Sequence, residues 1–128
     1  MPQVQTVFDS VPKEDPFHIF RGSEPNYQKV VKILDFKKED VAKASNVASS
    51  SVRYDSKMPQ ELQQRILEWA VAISLAGEYF GDLERTILWF HAPNALLGGI
   101  SPRDMIRIGR FKKLLRFIHT AREENSKP

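Results

Sequence analysis

The clearest pattern of hydrophobic and polar positions lies between residues 59 and 82. Apolar residues recur there at intervals of three or four, and further apolar positions widen the stripe to a second face. The first face comprises Leu62, Ile66, Trp69, Ile73, Ala76 and Phe80. This spacing predicts a helix, which Pro59 begins and Gly81 ends. Because a helix that is apolar on two faces is normally packed between layers, we expect it to be central.

Shorter helices are predicted on both sides of this central one. Upstream, they are expected from Pro25 to about Leu34, over residues 36–44, and from Ser50 to Asp55, the second stopping at Ser45-Asn46. Downstream, they are expected over 83–91, 102–108 and 110–123. No alternating pattern typical of strands is found. The prediction is therefore an all-α fold, a compact bundle of about seven helices.

Residues 1–24 carry three prolines, at positions 2, 12 and 16. We expect this segment to form a loosely ordered N-terminal arm. Its apolar residues are able to dock on the body of the protein or on a partner. They are Val7, Phe8, Phe17, Ile19 and Phe20.

Composition narrows the functional classes. The chain has no cysteine, which excludes a disulfide scaffold, a cysteine-ligated zinc site and a thiol nucleophile. Its three histidines, His18, His91 and His119, are far apart and show no metal-ligand spacing. We therefore predict no enzyme, no catalytic residue, no metal and no cofactor. Without a signal-like start or a long apolar run, a soluble cytoplasmic protein with no membrane partner is expected.

The segment from Phe36 to Asp55 has the pattern of a helix-turn-helix, in which one short helix supports a second that can enter a major groove. Exposed hydroxyls and cations there are candidate DNA contacts, although the segment is weakly basic and DNA affinity per protomer would be small. A helical corner that binds no DNA remains the alternative. The candidate DNA-binding residues are Ser49, Ser50, Arg53, Tyr54 and Lys57.

A second motif runs from Trp89 to Pro102. A proline and an asparagine stop one helix, two leucines are expected to anchor the loop, two glycines supply unusual backbone conformations, and Ser-Pro starts the next helix. So much turn chemistry in so short a stretch indicates a strictly specified corner between helices. The motif residues are Trp89, Pro93, Asn94, Gly98, Gly99, Ser101 and Pro102.

This motif resembles that of the toxin-binding domain of the Xre/MbcA/ParS antitoxins, and the similarity extends over roughly residues 70–122. The upstream segment is similar to the Xre-type helix-turn-helix of the same proteins. After the N-terminal arm (1–24), the resemblance implies an Xre-like helix-turn-helix domain (25–70) and a C-terminal toxin-binding domain (71–128).

The resemblance also implies a function. The chain would be the antitoxin of a type II toxin–antitoxin system, a homodimer that covers the active-site entrance of a RES-domain toxin that depletes NAD. It would also bind operator DNA and repress its own operon. The alternative is a DNA-binding transcriptional regulator that has no toxin partner.

Charge is concentrated near the C-terminus. The net charge is only +3, but seven cations lie between Arg103 and Arg122 against one acid, Asp104. On the last helix an aromatic residue borders this basic face, a composition typical of interface centres. The acids that follow are candidates to mimic the pyrophosphate of NAD. The predicted toxin-binding residues are Arg110, Lys113, Arg116, Phe117, Glu123 and Glu124.

Overall fold

A computed structural model describes residue 15 and residues 17–126, with side chains up to residue 124. Within that part the fold is helical apart from one two-residue hairpin, which confirms the all-α prediction. Two single 3-10 turns, at Ser49–Ser51 and Ala95–Leu97, lie between the α-helices. The helices are α1 (Tyr27–Leu34), α2 (Lys38–Ser45), α3 (Gln60–Phe80), α4 (Leu83–His91), α5 (Pro102–Arg107) and α6 (Phe111–Ser126).

Helix α3 is the centre of the fold, as its two apolar faces predict. It packs against α1, α2, α4 and α6, and every residue from Trp69 to Gly77 is buried. The Trp69 ring meets Phe36 edge-on, with 5.5 Å between ring centroids. The boundary expected between residues 70 and 71 falls inside this continuous helix. The N-terminal and C-terminal helices therefore share one hydrophobic core.

Local signals place most helix ends where the sequence predicts them. Asn46 ends α2 in the left-handed conformation, at φ 58°. The backbone N–H of Asp104 donates to the Ser101 hydroxyl at 3.1 Å, so Ser101 caps α5. Helix α1 begins two residues later than expected, because Asn26 is its cap and Pro25 belongs to a strand.

The chain before α1 is more ordered than expected from residue 17 onward. Strands β1 (Phe20–Arg21) and β2 (Glu24–Pro25) form an antiparallel hairpin. Phe17 and Ile19 are buried in the core. The Asp15 carboxylate accepts hydrogen bonds from the N–H groups of Ile19 and Phe20, at 2.8 and 2.7 Å, and so fixes the approach to the hairpin. Val7 and Phe8 lie outside the described residues.

The helix expected from Ser50 to Asp55 does not form. Ser49–Ser51 makes a single 3-10 turn, and Val52 follows in an extended conformation. Serine hydroxyls compete for backbone hydrogen bonds and favour caps and turns over helix interiors, so three successive serines oppose a longer helix. This part of the predicted helix-turn-helix is therefore wrong, since no helix follows α2 in the expected place.

Two side chains bind the end of α1, one from within the Trp89–Pro102 motif and one directly after it. The Arg103 guanidinium donates to the carbonyls of Leu34 and Asp35 and lies over the Phe36 ring, 5.4 Å from its centroid. Nε2 of His91 lies 3.1 Å from the carbonyl oxygen of Ile33. Because the last carbonyls of a helix lack partners within it, these contacts complete α1 and lock the two halves together.

Candidate functional site

The corner between α4 and α5 is closed by Asn94. Its backbone N–H donates to the carbonyl of Ile100, its carbonyl accepts from the N–H of Gly99, and its side-chain oxygen accepts from the N–H of Leu96. Gly98 and Gly99 follow at φ 79° and 87°, the left-handed region that side chains resist. The asparagine and both glycines of the motif therefore have definite structural tasks in shaping this loop.

The two leucines of the loop play different parts. Leu97 is buried and anchors the corner, as expected, whereas Leu96 is 79% exposed. The expectation that both anchor the loop is thus wrong for Leu96. The 3-10 turn points neighbouring side chains in different directions, so only one of the two can enter the core. An exposed leucine held on a rigid loop is a feature typical of a contact surface.

Aromatic side chains from three helices gather beside this loop. The rings of Trp89 and Phe117 are nearly parallel, with 6.3 Å between centroids and 11° between planes. Phe80 lies against Trp89 at 5.9 Å, and Tyr79 meets Phe80 edge-on at 5.1 Å. The motif tryptophan therefore connects the end of α3 to α6. Phe117, predicted to bind a toxin, is the α6 member of this group.

These rings border an open groove of about 290 Å³. Tyr79, Phe80, Trp89 and Phe117 form its walls, and Leu96 stands on its rim. We refer to it as the aromatic groove. Ala76 and Ala121 also line it, as small residues that leave the space open. Sequence reasoning missed Tyr79, Phe80 and Leu96, because a helix that is apolar on two faces does not reveal which apolar residues stay uncovered.

The basic residues predicted to bind a toxin lie along the start of α6. Arg110, Lys113 and Arg116 are exposed, and none makes an ion pair within residues 17–124. At 100° per residue, Lys113 and Phe117 are separated by about 40°. Arg116 lies about 100° from Phe117, further from the groove. The structure therefore brings Lys113 and Phe117 to one face and places Arg116 at its outer edge.

The acidic candidates lie further along the same helix. Glu123 and Glu124 are exposed, and Glu124 lies within about 20° of Phe117 around the helix. Arg122 pins this end of α6 to α3, because its guanidinium lies 3.0 Å from a Glu78 carboxylate oxygen and donates to the Leu75 carbonyl at 3.1 Å. Both glutamates thus project from a helix that continues to Ser126.

The predicted DNA-contacting residues occupy the 3-10 turn and the extended segment after it. Ser49, Ser50 and Lys57 are exposed. The Arg53 guanidinium donates two hydrogen bonds to Asp55, at 2.7 and 2.6 Å. This pairing raises the pKa of Arg53 and lowers the pKa of Asp55.

Tyr54, the remaining DNA candidate, is half-buried, and its burial raises the pKa of the phenol. Arg53, the only arginine of the set, already has its Nε and one Nη group paired with Asp55. The segment from Ser49 to Lys57 therefore offers hydroxyls and one lysine rather than an unpaired guanidinium.

Metal-ligating side chains are not brought together. Among the described residues no group of three His, Cys, Asp or Glu side chains lies close enough to hold a metal ion. His91 is engaged with α1, and His18 lies on the exposed side of the hairpin approach. No helix in the described part of the chain is both long and apolar enough to cross a membrane.

The segment that contains this corner matches a known protein family. Residues 75–112 match the model of the antitoxin Xre/MbcA/ParS C-terminal toxin-binding domain. The chain is therefore of the antitoxin class, a component of a toxin–antitoxin system. This match confirms the resemblance of that segment to the toxin-binding domain of the Xre/MbcA/ParS antitoxins.

The fold has a counterpart among solved structures. The chain is similar to one in the crystal structure of the M. tuberculosis MbcT–MbcA toxin–antitoxin complex, with a TM-score of 0.53 and 21% sequence identity. The similarity covers 80% of this chain and 94% of that one. At this identity the likeness concerns the fold. No curated protein sequence matches the chain significantly.

Proposed function

We propose that this antitoxin neutralises a RES-domain toxin that depletes NAD, by covering the entrance to its active site. The observation that carries the proposal is the aromatic groove, which lies on the family's toxin-binding domain and continues onto α6. The groove offers apolar area in a concave, rigid setting. Such pockets hold the residues that dominate binding energy at protein interfaces.

Exposed cations near the start of α6 are consistent with toxin contact on this side of the molecule. Arg110 and Lys113 lie at the start of α6, on the same side of the helix as Phe117, and are exposed to solvent. Cations at an interface rim steer association and select partners of opposite charge. We therefore expect the toxin to place an apolar side chain in the groove and acidic groups around it.

The acidic end of α6 has a separate part in the proposal. A pocket that receives the pyrophosphate of NAD exposes basic groups. Glu124 supplies a carboxylate on the groove side of the helix, and Glu123 supplies one on its outer side. The double substitution Glu123→Gln and Glu124→Gln tests this without removing Arg122, which deletion of residues 119–128 would also remove. Full neutralisation by this variant would discard the carboxylate mimicry while leaving the groove as the contact surface.

We also propose that the protein acts in the cytoplasm as a homodimer and represses its own operon through the segment from Ser49 to Lys57. Three exposed or partly exposed serine hydroxyls and the Lys57 ammonium are suitable phosphate contacts. A dimer would double a weak electrostatic contribution to DNA affinity.

Co-expression with the product of the neighbouring gene tests the main proposal. That gene is expected to encode a RES-type protein. The two proteins should co-purify, and cellular NAD should fall when the neighbour is expressed alone and recover when this chain is present. Unchanged NAD under both conditions, or promoter binding without any interaction with the neighbour, would contradict it and favour a regulator without a toxin.

A further inference from the structure

Two polar side chains line the aromatic groove beside its rings, Asn94 from the loop and Arg122 from α6. Each is hydrogen-bonded through part of its side chain and keeps donor groups that have no partner in the described part of the chain. We propose that the groove takes an apolar side chain of the toxin together with the main-chain carbonyl oxygens beside it, which accept hydrogen bonds from these two residues. This contact rests on the proposed function and specifies which toxin groups enter the groove.

The Asn94 side chain is fixed at one end and free at the other. Its Oδ1 atom accepts a hydrogen bond from the backbone N–H of Leu96 at 2.9 Å. Because an N–H group needs an oxygen as its partner there, the other terminal atom is the Nδ2 amide. This amide makes no hydrogen bond to any other described residue. Two N–H donors therefore remain available on a residue that lines the groove and whose orientation the loop already sets.

Arg122 is fixed in a similar way on α6. Its Nη1 group lies 3.0 Å from Oε1 of Glu78 and donates to the Leu75 carbonyl at 3.1 Å. Its Nε and Nη2 groups make no hydrogen bond within residues 17–124. A guanidinium presents its N–H donors in a planar fork, so the rest of the fork remains available. Since the side chain is already held in place, little rotamer freedom is lost when a partner binds.

The charges around Arg122 favour a neutral acceptor over a carboxylate. The Arg122 cation is already paired with the Glu78 carboxylate, whose second oxygen is buried without a hydrogen-bond partner in the described part of the chain. A toxin carboxylate brought to Arg122 would also approach this anion, and like charges at short distance repel. A main-chain carbonyl accepts the same hydrogen bonds without that repulsion. The aromatic walls then bury the apolar side chain next to the carbonyl.

The substitution Asn94→Asp separates the binding role of Asn94 from its structural role. An aspartate carboxylate caps a turn about as well as an asparagine, so the hydrogen bond from Leu96 is kept while the amide donors are lost. The matched control is Asn26→Asp. Asn26 caps α1 in the same way, by accepting from the N–H of Lys29, and it does not line the groove. Both substitutions therefore keep a cap and add the same negative charge.

The measurement is the affinity of the full-length protein for the purified product of the neighbouring gene, by titration calorimetry. We expect Asn94→Asp to bind about tenfold more weakly than the wild type, because a toxin carbonyl is left facing an anion without a donor. Asn26→Asp should match the wild type. Equal affinity of all three proteins would overturn the carbonyl contact and leave the proposed function intact. Absence of binding by the wild type would contradict the proposed function and the carbonyl contact with it.

Salt concentration distinguishes a carbonyl from a carboxylate. If the toxin acceptor were a carboxylate, the loss caused by Asn94→Asp would come largely from repulsion between two charges, which salt screens. We expect the ratio of wild-type to Asn94→Asp affinity to change by less than about twofold between about 0.05 M and 0.5 M NaCl. A ratio that falls to about one at high salt would assign the acceptor to a carboxylate and overturn the proposal.

Arg122→Lys provides a second variant that does not depend on the loop. Lysine keeps a cation beside Glu78 but removes the remaining donors of the fork. We expect toxin affinity to fall about fivefold, with thermal unfolding as the check on the fold. Arg107→Lys is the matched control, since Arg107 pairs with Asp104 and does not line the groove. Equal affinity for Arg122→Lys and the control would contradict a carbonyl contact at Arg122.

Discussion

The segment from Ser49 to Lys57 and the aromatic groove are both candidate contact surfaces. They differ in how many of their polar and apolar side chains already have partners within the chain. In the segment, both donor groups of the Arg53 fork are hydrogen-bonded to Asp55. On the Phe117 side of α6, Arg110 and Lys113 make no ion pair in the described part of the chain, and Leu96 on the groove rim is exposed to solvent. Groups left unsatisfied on a rigid frame indicate a surface shaped for a partner.

Most residues of the Trp89–Pro102 motif shape the loop and do not form the contact surface. Pro93, Gly98 and Gly99 belong to the motif, yet they shape the corner and do not line the groove. The walls are aromatic residues from the helices around it. Of the motif residues, Trp89 and Asn94 line the groove. The conspicuous residues therefore build the frame, and less conspicuous ones provide the contact.

Arg103 gives the largest expected effect, because it joins the start of α5 to the end of α1, in the half of the chain that carries the Ser49–Lys57 segment. Arg103→Ala removes two hydrogen bonds to the end of α1 and the contact with Phe36. We expect the free energy of unfolding to fall by about 2–3 kcal/mol, measured by urea denaturation. Arg103→Lys should recover part of the loss. If the two regions are one unit, unfolding stays a single transition; two separate transitions in the wild type would contradict this.

Phe117→Ala is the next largest test and concerns toxin binding. Loss of the ring that stacks on Trp89 should weaken toxin affinity by about 30-fold, equivalent to about 2 kcal/mol. Arg116→Glu, further from the groove, should have a smaller effect through the association rate. Operator binding should be unchanged in both. Titration calorimetry measures the affinities, and thermal unfolding checks that the fold survives.

The third test concerns DNA binding by the Ser49–Lys57 segment and breaks the ion pair between Arg53 and Asp55. Asp55→Ala leaves the Arg53 guanidinium unpaired and available to a phosphate. We expect operator affinity to increase and the slope of log K against log salt to steepen by about 0.9 per protomer. Arg53→Ala should weaken operator binding and leave neutralisation intact. Equal operator affinity for both variants and the wild type would remove this segment from DNA recognition.

The smallest expected effect concerns Glu68 on α3, whose carboxyl has a raised pKa, mainly because burial disfavours the charged form. The folded protein thus takes up a proton at a higher pH than the unfolded chain does. Wild-type stability should rise as pH falls through the raised pKa.

At neutral pH, Glu68→Gln should therefore be more stable by less than about 1 kcal/mol, and this advantage should shrink on acidification. Melting temperatures measured from pH 7 to pH 4 check the sign. The exposed Glu39→Gln serves as control. An advantage that grows towards low pH would contradict the account.

Much of the fold was predictable because its signals are local. Pro59 and Gly81 set helix ends through their own backbone preferences, and Ser101 does so through its hydroxyl cap, so no distant contact is needed to place them. The hairpin was not predictable, since it depends on Asp15 binding two backbone N–H groups and on Lys29 reaching back from α1. These contacts connect positions that no periodicity relates.

The site was predictable in part for the same reason. Helical spacing places Phe117 at the border of an apolar face, and the structure puts it in the groove wall. The choice between Leu96 and Leu97 depends on the orientation of a 3-10 turn held by the Asn94–Ile100 pairing. Because the two leucines are adjacent and equally hydrophobic, the sequence does not indicate which of them is buried.

The central claim is that toxin contact runs through the aromatic groove, and two exposed leucines test it most directly. Leu96 stands on the groove rim, whereas Leu88, 63% exposed on α4, does not line the groove. The measurement is cellular NAD during co-expression of the toxin with Leu96→Asp or with Leu88→Asp. The account predicts that Leu96→Asp fails to preserve NAD while Leu88→Asp protects like the wild type. Equal protection by both variants, or loss only with Leu88→Asp, would contradict it.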